Sequence, residues 1–389
     1  MNNFIFENAT KVYFGRGCVK EYLSSVMDHY GKTVMLAYGG GSIKGNGIYE
    51  EVMKILDNAG KTVIEFSGIM ANPTYEKVLE GTALARDKEV DFILGVGGGS
   101  VMDCCKAISL TAQYDGDVWN DFWERTGIID FDPLPTGFIV TVTGTGSECN
   151  GGAVITNESK KVKTGRDYSG CNAKFAMLDP AYTMTVPMRQ TVSGGFDILS
   201  HIMETYFSYT NEDNVSDDIS EALMKSVIRN LREVIKNPQS YTARSNLMWA
   251  ATMAENRLIK LGKQCDFQCH QIEHQLGAYT DCNHGEGLAV IHPVYYRHIY
   301  KYGLPKFVRF AQNVWNISRI GMSDEKLAKA GIEALAAFIE EIGLPTTLTE
   351  MGITDHAFLK TVADSCNIAP GSYKKMNTEE ILQILEESV

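Results

Sequence analysis

The sequence predicts an α/β half over residues 1–187 followed by an all-helical half over residues 188–389. Three observations lead there. Short β-prone apolar runs alternate with longer helix-like runs in the first half, the pattern of a parallel sheet covered by helices. Two of those runs end in glycine clusters, Gly39-Gly40-Gly41-Ser42 and Gly97-Gly98-Gly99-Ser100. Beyond Pro187, four-residue apolar periodicities take over. A chain of 389 residues fits two such parts, at roughly 100–200 residues per domain.

Taken in order, Thr33-Val34-Met35-Leu36-Ala37-Tyr38 reads as a buried strand that stops at the first glycine cluster, and a helix is expected from Ile48 to Ala59. Thr62-Val63-Ile64-Glu65-Phe66 is the next strand. Asn72-Pro73-Thr74 marks a turn and a helix start, with an amphipathic stretch running to Lys88. Asp91 to Val96 is a strand that breaks into the second glycine cluster, and Gly137 to Val142 is a strand ahead of Thr143-Gly144-Thr145-Gly146-Ser147-Glu148. In the helical half, Ser216 is expected as an N-cap, with acidic Asp217 and Asp218 in the first turn and Ile219, Leu223, Val227 and Leu231 on one face.

Bulk properties narrow the function. The chain is 44% hydrophobic and 22% charged, which is ordinary globular usage. A net charge of -12 with no basic run excludes a phosphate-backbone partner such as nucleic acid. The N-terminus lacks a basic flank and a long apolar stretch, so a cytoplasmic protein with no membrane contact is expected. The nine cysteines show no CxxC spacing and read as reduced thiols, and Asn214-Val215-Ser216 matches a glycosylation acceptor by chance.

Both glycine clusters follow strands, and a phosphate needs backbone N–H groups at a range that a Cβ would forbid. Gly97 to Ser100 also opens a helix bearing Asp103 and Lys106, which would set a pyrophosphate at the helix's positive end. Residues 37–45 contain no acid to bind ribose hydroxyls and repel a 2′-phosphate, while Ser42 and Lys44 are donors. NADP(H) is therefore preferred over NAD(H), against the alternative that Lys44 is only a solvated surface charge.

The second half carries a metal pattern. Asp197 and His201 lie one helical turn apart, His270 and His274 repeat that spacing, and His284 follows in a loop-like segment. A carboxylate with imidazoles suits one divalent metal, Fe²⁺ or Zn²⁺, and not Cu⁺ or an iron–sulfur cluster. His292, in an apolar stretch, reads as a core residue. His270 to His274 also fits H-x-x-E-H, the inverted zinc-protease motif, but a protease has no need of the glycine clusters and leaves Asp197 and His201 unexplained.

Taken together, these motifs resemble the iron-containing (group III) alcohol dehydrogenases, whose fold also serves glycerol dehydrogenase and dehydroquinate synthase. The resemblance runs through Phe14-Gly15-Arg16-Gly17, Asn72-Pro73, Gly97 to Lys106, Gly144-Thr145-Gly146-Ser147-Glu148, Leu178-Asp179-Pro180, Asp197 to Glu204 and 270–284. Tyr38-Gly39-Gly40-Gly41-Ser42 looks most like the NADPH-dependent butanol dehydrogenase and aldehyde reductase branch. It implies a dehydroquinate synthase-like fold, a homodimer, and metal ligands at Asp197, His201, His270 and His284. It further implies coenzyme positions at Gly39, Gly41, Ser42, Gly98, Ser100, Thr141, Thr145, Asn150 and Lys163, to which Asp103 is added. The usual Thr-Thr-Ala-Gly is here Thr141-Val142-Thr143-Gly144, which replaces a hydroxyl near the adenine by a methyl pair.

The chemistry so implied is hydride transfer between a primary alcohol or aldehyde and the coenzyme. The metal would stabilise the alkoxide, Lys163 would orient the nicotinamide ribose, and His274 would either relay the proton or only pack beside the site. A glycerol-type polyol dehydrogenase, metal-dependent elimination on a phosphorylated sugar acid and a non-catalytic binding protein are the other readings.

Overall fold

The computed structural model describes residues 1–366, 368 and 373–389, and the chain divides into two compact units. One spans Glu7–Pro187, and the other joins Met188–Val389 to Met1–Phe6. The six N-terminal residues, expected with the α/β half, therefore pack in the helical unit, where the Asn2 N–H donates to the Gly262 carbonyl at 3.1 Å.

The first unit is built on a six-stranded parallel sheet in the order β1-β8-β5-β4-β2-β3. Its elements run β1 (Lys11–Phe14), α1 (Cys18–Met27), β2 (Thr33–Tyr38), α2 (Ser42–Gly45), α3 (Ile48–Asn58), β3 (Thr62–Phe66), α4 (Tyr75–Asp87), β4 (Phe92–Gly97), α5 (Gly99–Thr111) and β5 (Thr136–Val140). The hairpin β6 (Gly152–Asn157) and β7 (Val162–Asp167) forms a separate antiparallel pair, and β8 (Phe175–Leu178) closes the unit. Alternate residues Val34, Leu36, Tyr38 and Phe92, Leu94, Val96 meet Val19 and Leu23 of α1 and Val52 and Leu56 of α3 in one core.

The strands expected at 33–38 and 62–66 form over those residues. The strand expected at 137–142 ends at Val140, although the Thr141 N–H still bonds the Gly97 carbonyl at 3.0 Å. Thr74 caps α4 as its position suggested, its hydroxyl accepting from the Lys77 N–H at 3.2 Å. The short strands β1 and β8 and the β6–β7 hairpin carry no pattern strong enough to appear in the sequence reading.

The helical unit contains α6 (Met188–Tyr206), α7 (Val215–Lys236), α8 (Tyr241–Glu255), α9 (Gln268–Thr280), α10 (His284–Ile299), α11 (Leu304–Arg309), α12 (Asp324–Glu341), α13 (His356–Ser365) and α14 (Thr378–Glu387). One apolar core runs through it, with Phe207 stacked on Phe307 at a centroid distance of 4.0 Å. The N-cap of α7 is Asn214, not Ser216: the Asn214 side chain accepts from the Asp217 N–H at 3.0 Å. Asn caps as well as Ser, and the backbone is still extended at Asn214. Ser216, already inside the first turn, donates to the Leu261 carbonyl instead.

Asp217 is not a solvated first-turn acid. It is buried between two buried lysines, Lys263 at 2.5 Å and Lys306, and both ammonium groups also reach the Tyr206 carbonyl at the end of α6.

Candidate metal centre and nucleotide turns

Helix α6 turns one face inward over two turns, placing Asp197, Ser200, His201 and Glu204 on the same buried side. Helix α9 brings His270, Glu273 and His274, and α10 begins at His284, just after the Asn283 cap that accepts from the Glu286 N–H. Asp197 Oδ1 lies 3.7 Å from His201 Nδ1, 3.7 Å from His270 Nε2 and 3.6 Å from His284 Nε2. Four donor atoms bound at about 2.1 Å to one tetrahedral ion lie about 3.4 Å apart, so these spacings fit a shared cation.

The buried atoms also need one. Asp197 Oδ1, His201 Nδ1 and His270 Nε2 are buried without a hydrogen-bond partner, a state that costs roughly 1–3 kcal/mol per group unless something binds there. Asp197, His201 and His270 also form a group whose ligating atoms all lie within 4.8 Å. His274 sits beside His284, ring centroids 5.4 Å apart, and groups with Glu273 and His284 rather than with the buried trio.

Electrostatics follow from the packing. Burial works against the Asp197 charge, but His201, His284 and His270 around it hold its carboxyl below the ordinary range. Burial lowers His201 despite Asp197. His270 resists burial because Glu204 and Asp197 flank it, and its pKa is raised to about 10.

Two carboxylates carry the outer positions, and the sequence reading assigned neither to this work. Glu204 accepts from the Cys269 N–H at 2.8 Å, the His270 N–H at 3.1 Å and His270 Nδ1. Glu273 accepts from His284 Nδ1. With Nδ1 donating outward, each ring presents its Nε2 lone pair toward Asp197. The inverted-protease reading does not fit, because the buried Glu273 carboxylate engages His284. Glu204 was visible in principle: it follows Asp197 by seven residues and His201 by three, on one helix face. His292 is a packed core residue, its Nε2 2.6 Å from Ser200 Oγ, and burial pushes its pKa down to about 3.

In the α/β unit, β2 and β4 are neighbours, yet the chain leaves β2 toward β3 on one side and leaves β4 toward β5 on the other. Both glycine clusters thus stand at the carboxyl ends of adjacent strands at a topological switch point, where such sheets bind ligands. Gly41 is left-handed at φ 99°, and a Cβ there would meet nothing. Gly99 is different, since a Cβ would lie 2.4 Å from Thr145 Cγ2, so the second cluster is demanded by packing on the 141–147 segment as well as by any phosphate.

Gly39, Gly41, Ser42, Gly98, Ser100, Thr141 and Thr145 cluster at the ends of β2, β4 and β5. The Ser100 hydroxyl donates to the Ala71 carbonyl. Asp103 and Asn150 stand behind that row. The Asp103 carboxylate accepts from Ser147 Oγ at 2.6 Å and the Val154 N–H at 3.0 Å, while Lys106 Nζ donates to Ser147 Oγ, Asn150 Oδ1 and the Gly152 carbonyl. Lys163 is buried on β7; burial raises the Asp103 carboxyl above its ordinary range, and Lys106 and, more weakly, Lys163 work against that rise. Lys44 is not simply solvated: its ammonium lies 3.2 Å from Glu65 of β3.

A parallel sheet with open turns at its switch point suits a nucleotide, and a buried cage of imidazoles and carboxylates suits a metal ion. The comparisons make this specific. The chain belongs to the iron-containing alcohol dehydrogenase family: that family's pattern matches residues 9–180, and the C-terminal pattern of the Fe-containing alcohol dehydrogenases matches residues 191–389. The chain is 36% identical to NADH-dependent butanol dehydrogenase A of Clostridium acetobutylicum over 100% of both chains. It is 35% identical to the NADPH-dependent aldehyde reductase of Escherichia coli over 91% of this chain and 90% of that one. The crystal structure of NADH-dependent butanol dehydrogenase A from Thermotoga maritima superposes with a TM-score of 0.94 at 34% identity, covering 100% of this chain and 99% of that one.

The protein is thus an enzyme, an alcohol/aldehyde oxidoreductase with the dehydroquinate synthase-like fold, and its family brings a metal ion and a nicotinamide coenzyme. Among the described residues no helix is long and apolar enough to cross a membrane.

Proposed function

We propose that the chain interconverts short primary alcohols and aldehydes, with Asp197, His201, His270 and His284 holding one Fe²⁺ or Zn²⁺ and NADP(H) preferred over NAD(H). The observation that carries the reading is the convergence of three buried, unpartnered donor atoms on Asp197, His201 and His270, with His284 Nε2 alongside. Such an ion supplies Lewis-acid stabilisation of negative charge on the substrate oxygen. Glu204 and Glu273 fix the ring orientations of His270 and His284. His274, next to His284, is suited to hold or pass a proton at its ring nitrogen. Lys163 orients the nicotinamide ribose, while Gly39, Gly41, Ser42, Gly98, Ser100, Thr141 and Thr145 receive the rest of the coenzyme. Asp103 and Asn150 act with them by holding the 147–154 segment.

The absence of an acid in residues 37–45 and the closeness of Lys44 to Ser42 support the coenzyme preference. The enzyme works as a cytoplasmic homodimer, which light scattering on the purified protein checks. The deciding experiment assays butanal against glycerol oxidation with NADPH and NADH on protein of measured metal content. His270→Ala should lose metal and turnover together, and turnover retained without metal overturns the ligand set.

A further inference from the structure

The first coenzyme turn has a neighbour that the sequence window does not contain. Glu65, next to last in the outer strand β3, extends its carboxylate to the lysine that follows the Gly39–Ser42 turn. Its Oε2 accepts from the Tyr38 hydroxyl at 2.6 Å and from Lys44 Nζ at 3.2 Å, and its Oε1 accepts from the Tyr49 hydroxyl at 2.7 Å. The Lys44 ammonium lies over both rings, 5.2 Å from the Tyr38 centroid and 4.4 Å from that of Tyr49. Lys44 is therefore restrained by one carboxylate and two ring faces, and the cluster carries one positive and one negative charge.

A 2′-phosphate and a 2′-hydroxyl make opposite demands on such a cluster. The phosphate is attracted by the ammonium and repelled by the carboxylate, whereas the hydroxyl is a donor that a carboxylate accepts. Residues 37–45 carry no negative charge, so the acid on this turn is the one that β3 brings alongside. We propose that Glu65 is a coenzyme-selecting residue, holding Lys44 away from a 2′-phosphate and so limiting the preference for NADP(H). This rests on the reading that the adenosine ribose lies on the Gly39–Ser42 turn.

Both side chains are about half exposed, so exchanging them leaves the core intact. The test is fluorescence titration of NADPH and of NADH on the full-length protein, which reads binding without turnover. Glu65→Gln should tighten NADPH about three- to tenfold and leave NADH unchanged or weaker. Lys44→Met should weaken NADPH about tenfold and leave NADH within about twofold. In the double variant the gain from Glu65→Gln should shrink. Equal shifts for the two coenzymes, or a gain undiminished without Lys44, overturn the proposal. Gly40→Leu tests the underlying placement separately: a Cβ at Gly40 meets nothing within 4 Å, and an unchanged melting temperature shows that the protein itself accommodates the rest of the side chain. Weaker binding of both coenzymes supports the placement. Unchanged binding of both sinks it, whatever Glu65→Gln does.

Discussion

Replacing Glu204 by Gln isolates the part played by a carboxylate that never faces the proposed ion. Glu204 accepts three hydrogen bonds, two from the Cys269 and His270 backbone N–H groups in the first turn of α9 and one from His270 Nδ1. A glutamine of the same shape has one oxygen, so it keeps the Cys269 N–H bond at Oε1 and loses the acceptor that the His270 N–H and Nδ1 share at Oε2. With it goes the negative charge that makes the His270 ring a better donor and favours its outward-pointing N–H. Loss of such a partner typically weakens metal affinity 10–100-fold, about 1.4–2.7 kcal/mol. The assay is competition for the bound ion against a chelator of known affinity, read by elemental analysis, with thermal melts at saturating metal as a control for the fold. Metal retention equal to that of the unaltered protein would refute the reasoning and leave Glu204 as an anchor for α9 alone.

Other outcomes follow from the same geometry. Asp217→Asn leaves Lys263 and Lys306 buried without their shared counter-charge; a loss of about 3–5 kcal/mol is expected in urea unfolding. Burial and the nearby Lys263 lower Lys306 from 10.5 to about 7. Between those values the unfolded chain binds more protons than the folded one, so this residue makes stability rise with pH across that window. Lys306→Met should flatten the rise, as denaturation at stepped pH would show. Gly99→Ala sets a methyl against Thr145 and should cost about 1–3 kcal/mol, with calorimetry showing partial recovery when Thr145 is also changed to Ala.

The parts of this molecule that announce themselves in the sequence are those with strong local signals. β2 and β3 are continuous β-prone runs between breakers, and Thr74 is a cap with a turn before it, so all three were legible. The Asp197/His201 and His270/His274 pairs were legible because helical spacing puts both members on one face. Their convergence with His284 came only with the family resemblance, since spacing alone does not say how α6, α9 and α10 pack. The same limit hid Glu65: a search along residues 37–45 cannot see a side chain delivered by the adjacent strand. Asp217 was placed correctly in a first turn, but its partners were hidden for a related reason. An acid in a first turn is ordinarily solvated, and only the fold shows that Lys263 and Lys306 enclose it. Asn214 displaced Ser216 as cap by two positions, which is the usual error where two capping residues stand close together.

The tie between Asn2 and Gly262 has a bearing on how the polypeptide is made. The sheet unit is a single uninterrupted stretch, whereas the helical unit takes material from both ends of the chain. Its opening residues must wait for more than two hundred successors before their docking place exists. Splitting the gene at the Pro187–Met188 junction would therefore part Asn2 from Gly262 and leave the helical unit without residues 1–6.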